Sequence, residues 1–297
     1  MSTFGQLIDS TLTQLYGYTT LQDEATFLTS PVNASATSMV VSDVTAVSRG
    51  IVEVDQELIW VDSVDTSTGA LTIPPYGRGF RGSVPSAHAS GSRVVSSPML
   101  PRHTVAQSIN ESVRAVFPDL YAVAATTFPF SPAISTYALP AGALDVIAVS
   151  WQSVGPSREW VPVRRWRVDK TAATSAFPSG VTISLYDAIV PGRSVRVTYS
   201  KQPDPLVNDS DDFVAVTGLP ASSEDVIRFG AAYRLVPFFE ASRLSGQSAE
   251  ADFSGQVRVQ QNTTNLSRFL LQMYQVRLTE ENKRLSTLFP VRSHYTR

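Results

Sequence analysis

The chain has no cysteine, so neither a disulfide framework nor a thiolate metal site is available to it. Histidine is nearly as scarce. His88, His103 and His294 lie far apart in sequence, which argues against a histidine-rich metal centre, and no metal or cofactor is expected. Lysine occurs only at positions 170, 201 and 283, so arginine carries nearly all the positive charge. Charged residues make up 17% of the chain and sum to −2, too sparse and too balanced for a global nucleic-acid binder. No apolar run approaches the ~20 residues of a membrane-spanning helix. The first ten residues lack the basic and apolar pattern of a secretory signal. The N-x-S/T triplets at Asn33, Asn110, Asn208, Asn262 and Asn265 are then chance matches. The expectation is a protein with no membrane partner, made and used in a cytoplasm or packaged into a particle assembled there.

Catalytic signatures are missing too. There is no nucleophile elbow, Walker A loop or H-E-x-x-H helix, and no enzyme is expected. One motif is present literally: Gly77-Arg78-Gly79-Phe80-Arg81-Gly82 reads G-x-G-x-x-G. A dinucleotide site needs a parallel strand before it and a helix after it, so that the helix N-terminus meets the pyrophosphate. Here Pro74-Pro75 precede and Ser83-Val84-Pro85-Ser86 follow, so the stretch reads as a glycine-rich loop with Arg78 and Arg81 exposed. His88 reads as a loop-packing residue. Asp209, Asp211 and Asp212 lack the regular oxygen spacing of a calcium loop and read as a solvated loop.

What is present is periodicity of two kinds. With 297 residues, 43% of them hydrophobic, the chain can bury an ample core. Residues 3–16 carry Phe4, Leu7, Ile8, Leu12 and Leu15 at helical spacing behind a Thr3/Gln6 capping box. Residues 103–122 repeat this with Val105, Ile109, Val113, Val116 and Phe117 behind Thr104/Gln107, up to a break at Pro118. From Ser222 on, two helices and a short basic tail are expected. The first opens on Ser222/Asp225, carries Ile227, Ala231, Leu235 and Phe238, and is kinked by Pro237. After Gly246 the second places Leu266, Leu270, Met273 and Arg277 on one face, with Tyr274, Leu278 and Leu285 beside them, and stops before Pro290.

Between the helices lie two β-rich regions. In the first, strands are expected at 25–28, 38–42, 51–54, 57–63, 70–74 and 93–96. Asp55-Gln56 and Thr66–Gly69 serve as turns. In the second they are expected at 135–139, 145–151, 160–168, 181–186 and 194–200, forming a small sandwich or rolled sheet with Trp151, Trp160 and Trp166 in its core. The fold class is α+β: a helical bundle formed by N-terminal, central and C-terminal helices, with two inserted, mostly antiparallel β modules. The boundaries are 1–24 (first bundle helix), 25–100 (β insertion), 101–127 (central helix), 128–205 (sandwich-like module), 206–290 (C-terminal helix pair) and 291–297 (tail).

Three stretches resemble the head-to-tail connector (adaptor) proteins of tailed bacteriophages. Ile109-Asn110-Glu111-Ser112-Val113-Arg114-Ala115-Val116-Phe117-Pro118-Asp119-Leu120-Tyr121 is similar to the helix preceding the β domain of such proteins. Phe229-Gly230-Ala231-Ala232-Tyr233-Arg234-Leu235, with Met273-Tyr274-Gln275-Val276-Arg277-Leu278 and Glu280-Glu281, resembles their last helix pair. Arg78-Gly79, Gly82-Ser83, Ala87-His88, Gly91 and Val94 are similar to a module of phage structural proteins. The resemblance implies a dodecameric homo-oligomeric ring in the virion neck, assembled in the host cytoplasm. The ring would join the portal protein to a downstream stopper or tail protein and pass DNA without reading its sequence. It also implies that the C-terminal segment reaches into the portal, through Arg292, His294, Tyr295 and Arg297. The compact adaptors lack so large an N-terminal β insertion, for which major capsid, head-fibre or neighbouring-subunit contacts are the candidate roles. The alternatives are a receptor- or carbohydrate-binding phage tail protein using the β regions, and a hydrolase with a spatially assembled carboxylate pair.

Overall fold

The computed structural model describes residues 2–18, 23–154, 158–237 and 260–290, with side chains of the last stretch described from Leu266. Among the described residues it is a mixed α+β fold with five α-helices and four antiparallel sheets. The chain forms two compact units, each gathered from separated stretches: Gly5–Ser112 with Arg228–Gln272, and Met1–Phe4 with Val113–Ile227 and Met273–Arg297.

The first unit takes in most of helix α1 (Phe4–Tyr16), strands β1 (Ala25–Phe27), β2 (Ser38–Val40), β3 (Gly50–Val54), β4 (Glu57–Val61), β5 (Ser63–Asp65), β6 (Ala70–Thr72) and β7 (Arg93–Ser96), and most of α2 (Arg102–Ala115). The strands form two sheets, β1-β7-β3-β4 and β2-β6-β5. Val52, Val54, Ile59 and Val61 of one sheet share a core with Met39 and Leu71 of the other. Each such side chain taken fully out of water is worth roughly 1.5–3 kcal/mol. β3 and β4 join through Asp55-Gln56, as their sequence predicts, with Val54 opposite Glu57. Asp55 has φ 54°, a conformation that aspartate tolerates better than most residues.

α2 differs from expectation at both ends. It starts at Arg102, two residues before the expected Thr104 cap, because the cap comes from another element. The Arg102 amide donates to the Glu53 carboxylate of β3 at 2.6 Å, and the Val105 amide donates to the Pro101 carbonyl at 3.0 Å. Gln107 is engaged instead with His103 Nε2 at 3.0 Å. Burial pushes the Glu53 carboxyl up to about 7, against the lowering effect of the Arg102 amide and charge. At the other end α2 stops at Ala115, and residues 122–129, expected partly as helix, form a strand.

That strand, β8 (Ala122–Pro129), belongs to the second unit with β9 (Thr136–Ala138), β10 (Asp145–Gln152), β11 (Trp160–Pro162), β12 (Trp166–Asp169), β13 (Thr182–Leu185) and β14 (Ser194–Lys201). The sheets β11-β10-β14-β8 and β12-β13-β9 share one core, with Val195, Val197 and Tyr199 of β14 packed against Tyr137 and Ile183. This is the sandwich that the alternation predicts. The expected single strand 160–168 divides into β11 and β12 on different sheets. The Asp187 carboxylate holds the corner between them, accepting the Arg164 and Arg165 amides at 2.5 and 3.2 Å. Trp151 and Trp166 pack on the core as expected, whereas Trp160, on an edge strand, lies beneath the Arg196 guanidinium at 4.4 Å.

The acidic loop is built rather than merely solvated. Asp211 accepts the Val207 and Asn208 amides at 2.8 and 2.9 Å. Asp212 caps a short helix, α3 (Phe213–Thr217), by accepting the Ala215 amide at 2.9 Å. Gly218 ends that helix at φ 70°, and a Cβ there would lie 2.7 Å from that of Ala122. α4 covers residues 224–237, and α5 runs from Gln260 to Leu288. The expected stripe holds on α4, where Ile227, Ala231 and Leu235 are buried, and in part on α5, where Leu270, Tyr274 and Leu285 are buried while Leu266, Met273, Arg277 and Leu278 are half-buried. Phe238, Gly246 and any kink after Pro237 lie outside the described residues.

Candidate docking surface

In the second unit, polar contacts fix the C-terminal part of α5. Glu281, buried, accepts a hydrogen bond from the Ser222 hydroxyl at 2.6 Å. Arg277 and Arg284 lie at 3.6 and 3.8 Å from its other oxygen. Arg277 also pairs with Glu280 at 2.6 Å, and Asn282 donates to the Asp119 carbonyl at 2.8 Å. These contacts set the rotation of the helix, so Leu285 is buried while Leu288 is left 64% exposed. Leu285, Leu288 and Phe289 form one wall of a groove of about 430 Å³, and Tyr121, Val123 and Leu219 contribute the other. Glu281 and Arg284 add the charged lining. An apolar cleft with a few convergent polar groups is the ordinary form of a recognition site.

The chain is described up to Pro290, one residue beyond the groove-lining Phe289. Arg292, His294, Tyr295 and Arg297, the docking residues expected from sequence, lie outside the described residues. Sequence reasoning missed Glu281, Ser222 and Val123 as builders of this place. Ser222 was legible only as a helix cap, and nothing local indicates that its hydroxyl meets a carboxylate 59 residues later.

The first unit holds a cluster of a different kind. The Glu57 carboxylate, fully buried, accepts from Arg78 Nε at 2.7 Å and Nη2 at 2.8 Å, and from the Gly79 and Ser86 amides at 2.9 and 3.0 Å. His88 lies 2.9 Å from Glu57 through Nε2 and 2.7 Å from Asp55 through Nδ1. Arg78, expected exposed, has only 8% of its side chain in solvent, because it reaches back across the module to Glu57; Arg81 is exposed as expected. The glycine-rich motif therefore closes a loop onto the β3–β4 hairpin. Burial would raise Glu57, but hydrogen bonds from Arg78, His88 and the two amides outweigh it and hold the carboxyl at about 2. Burial would lower His88, but its bonds to Asp55 and Glu57 raise it to about 9. With five donors on its two oxygens, Glu57 has no lone pair left to accept a substrate proton. His88 is thus a packing residue in the sense expected, but a charged one. Among the described residues no cluster of histidine and carboxylate groups is arranged to hold a metal ion.

A family model described as SU10 adaptor protein matches residues 94–270, more than half of the chain. The chain belongs to this family of phage head-to-tail adaptors. The matched stretch opens within β7 and takes in α2, the whole sandwich and α3, running on into α5. Strands β1–β6, and with them Glu57, Arg78 and His88, fall outside it. Comparison with curated proteins returns no match. A phage adaptor is a structural protein of the virion neck, with partners in head–tail assembly. Among the described residues no helix is long and apolar enough to cross a membrane.

Proposed function

We propose that this adaptor forms a dodecameric ring that joins the portal to a downstream stopper or tail protein and encloses part of the DNA channel, assembling in the host cytoplasm. The match to the adaptor family carries this reading. The near-neutral charge supports it, since a strongly basic lumen would hold the passing phosphates. In the finer architecture α1, α2, α4 and α5 form one helical bundle from which two β modules project, with boundaries at 25–100 and 128–205. Three side-chain links between helices favour this: Arg102 with Asp9, Arg234 with Ser112 at 2.5 Å, and Arg277 with Asp225 at 3.8 Å. Residues 291–297 follow the groove and dock on the portal, with Tyr295 as aromatic anchor and Arg292, Arg297 and His294 pairing with carboxylates. The N-terminal β module contacts a neighbouring subunit, the major capsid protein or a head fibre. The adaptor has no catalytic role. The carbohydrate-binding alternative needs a bare aromatic platform, and Arg196 covers the ring of Trp160.

A pull-down of the chain, with and without residues 291–297, against a purified portal ring and DNA-filled heads tests this. Binding that depends on the tail supports the reading and its anchor. Binding unchanged by truncation moves the interface to the helices. No binding to either target overturns the reading.

A further inference from the structure

Among the described residues one long sheet edge has no neighbour. Strand β8 has eight residues and pairs on one side only, with β14, in unbroken register from Ala122 opposite Lys201 to Pro129 opposite Ser194. Other edges are short or covered. β1, β2, β5, β9 and β11 have three residues each and β12 has four. β4 has its outer amides occupied, Leu58 by Ser83 Oγ at 2.9 Å and Trp60 by the Gly77 carbonyl at 2.8 Å.

On β8 the alternation of the ladder can be fixed. The Phe130 amide donates toward the β14 side, to the Arg193 carbonyl at 2.8 Å, and Pro129 has no amide to give. The amides of Val123, Ala125 and Thr127 therefore point away from β14. Among the described residues none of the three has a hydrogen-bond partner. The strand also lacks the usual protections of an edge: it carries no charge and no bulge, and its proline stands at the very end.

The groove described above connects this edge to the C-terminal segment. Leu288 and Phe289 line it together with Val123, so the chain leaves α5 beside the first residues of β8. The seven residues after Pro290 span roughly 23 Å when extended, against roughly 26 Å for β8, at about 3.3 Å per residue. Val291, Tyr295 and Thr296 favour strand, and residues 291–297 contain neither glycine nor proline. In an extended segment Val291, Ser293 and Tyr295 share one face. That face matches the row of Ala124 and Phe128, which are only partly buried against the sandwich core.

We infer that residues 291–297 add to the open edge of β8 of their own chain as a fifth strand while the adaptor is undocked. Backbone bonding to β8 supplies the affinity, and Val291 and Tyr295 extend the apolar face beside Ala124 and Phe128. The segment then has a resting place as well as the docking role proposed above, and leaves one to reach the other. The edge pairing itself does not depend on the portal reading.

Amide hydrogen exchange on the full chain, read residue by residue, tests it. The amides of Val123, Ala125 and Thr127 are expected to exchange at least about tenfold more slowly than free exposed amides, independent of protein concentration. Ala125→Pro removes one outward donor and leaves the β14 ladder intact. It should abolish slow exchange in residues 292–297 without lowering Tm appreciably. Tyr295→Pro, which removes a donor of the added strand itself, should release the three β8 amides. Fast exchange of those amides in the unaltered chain overturns the inference. So does tail protection that survives Ala125→Pro, and so does protection that appears only at high concentration, which would place the strand on a second copy. Loss of portal binding in the pull-down has no bearing on these readouts, so the two proposals fail separately.

Discussion

The β3–β4 hairpin and strand β8 treat their polar groups in opposite ways. Around the hairpin the buried polar groups are paired: Glu57 collects five donors, Arg78 and His88 are buried against it, and the Leu58 and Trp60 amides of β4 are taken up by Ser83 and Gly77. Along β8 three amides face outward with no partner among the described residues, and the nearby groove exposes Leu288. A buried charge without a counter-charge costs several kcal/mol, so a chain that buries one must complete the network. An open strand edge costs little while water satisfies it, and it remains available for another strand. The first arrangement closes a module, and the second leaves an edge to which a further strand can be added.

The contrast can be broken most severely at its closed end. Glu57→Gln leaves Arg78 buried without its counter-charge and His88 with Asp55 alone, and the expected loss in urea-denaturation stability is about 3–5 kcal/mol. Arg78→Ala should fall in the same range for the same reason.

Next in size is the dependence on pH, which follows from three shifted groups. Glu57 is lowered from 4.5 to about 2, so its stabilisation is present above pH 4.5 and is lost as pH falls toward 2. His88 is raised from 6.5 to about 9, so its stabilisation is full below pH 6.5 and disappears as pH rises through 9. Glu53 is raised from 4.5 to about 7, so ionisation favours the unfolded chain and removes stability between those values. Tm measured against pH should therefore peak in the mildly acidic range and decline on both sides. In Glu57→Gln the acid-side decline from this group should vanish.

A smaller effect belongs to the open side. Ser222→Ala deprives the buried Glu281 of its 2.6 Å donor, and a loss of about 1–2 kcal/mol is expected in the same denaturation assay. The smallest change sharpens the comparison inside one motif. Arg81, exposed three residues from Arg78, should tolerate alanine within about 0.5 kcal/mol.

Much of the secondary structure was legible because it depends on local alternation. The β7 strand falls at 93–96 as expected, and the predicted stripe residues of α1 (Phe4, Leu7, Ile8, Leu12, Leu15), α2 (Val105, Ile109, Val113) and α4 (Ile227, Ala231, Leu235) are buried, whereas on α5 only Leu270, Tyr274 and Leu285 of the predicted faces are. The misses have specific causes. β8 reads Ala-Val-Ala-Ala-Thr-Thr-Phe-Pro, and its alanines favour strand so weakly that pairing with β14 decides the matter. α2 begins early because Glu53, distant in sequence, supplies its cap. Arg78 looked exposed because a lone arginine in a glycine-rich loop carries no local sign of a carboxylate 21 residues before it.

By itself, then, the sequence determined most of the helical and extended segments, the turns between most of them, the absence of any cysteine, and the likeness to phage adaptors. These rest on period, composition and short motifs, which neighbouring residues fix among themselves. Only the tertiary structure decided that Glu57 is the hub of a closed ionic network, that Ser222 meets Glu281, and that β8, paired on one side alone among the described residues, starts beside the C-terminal end of α5. Each of these joins residues far apart in the chain, and burial and pairing at such distances are set by the packed fold as a whole.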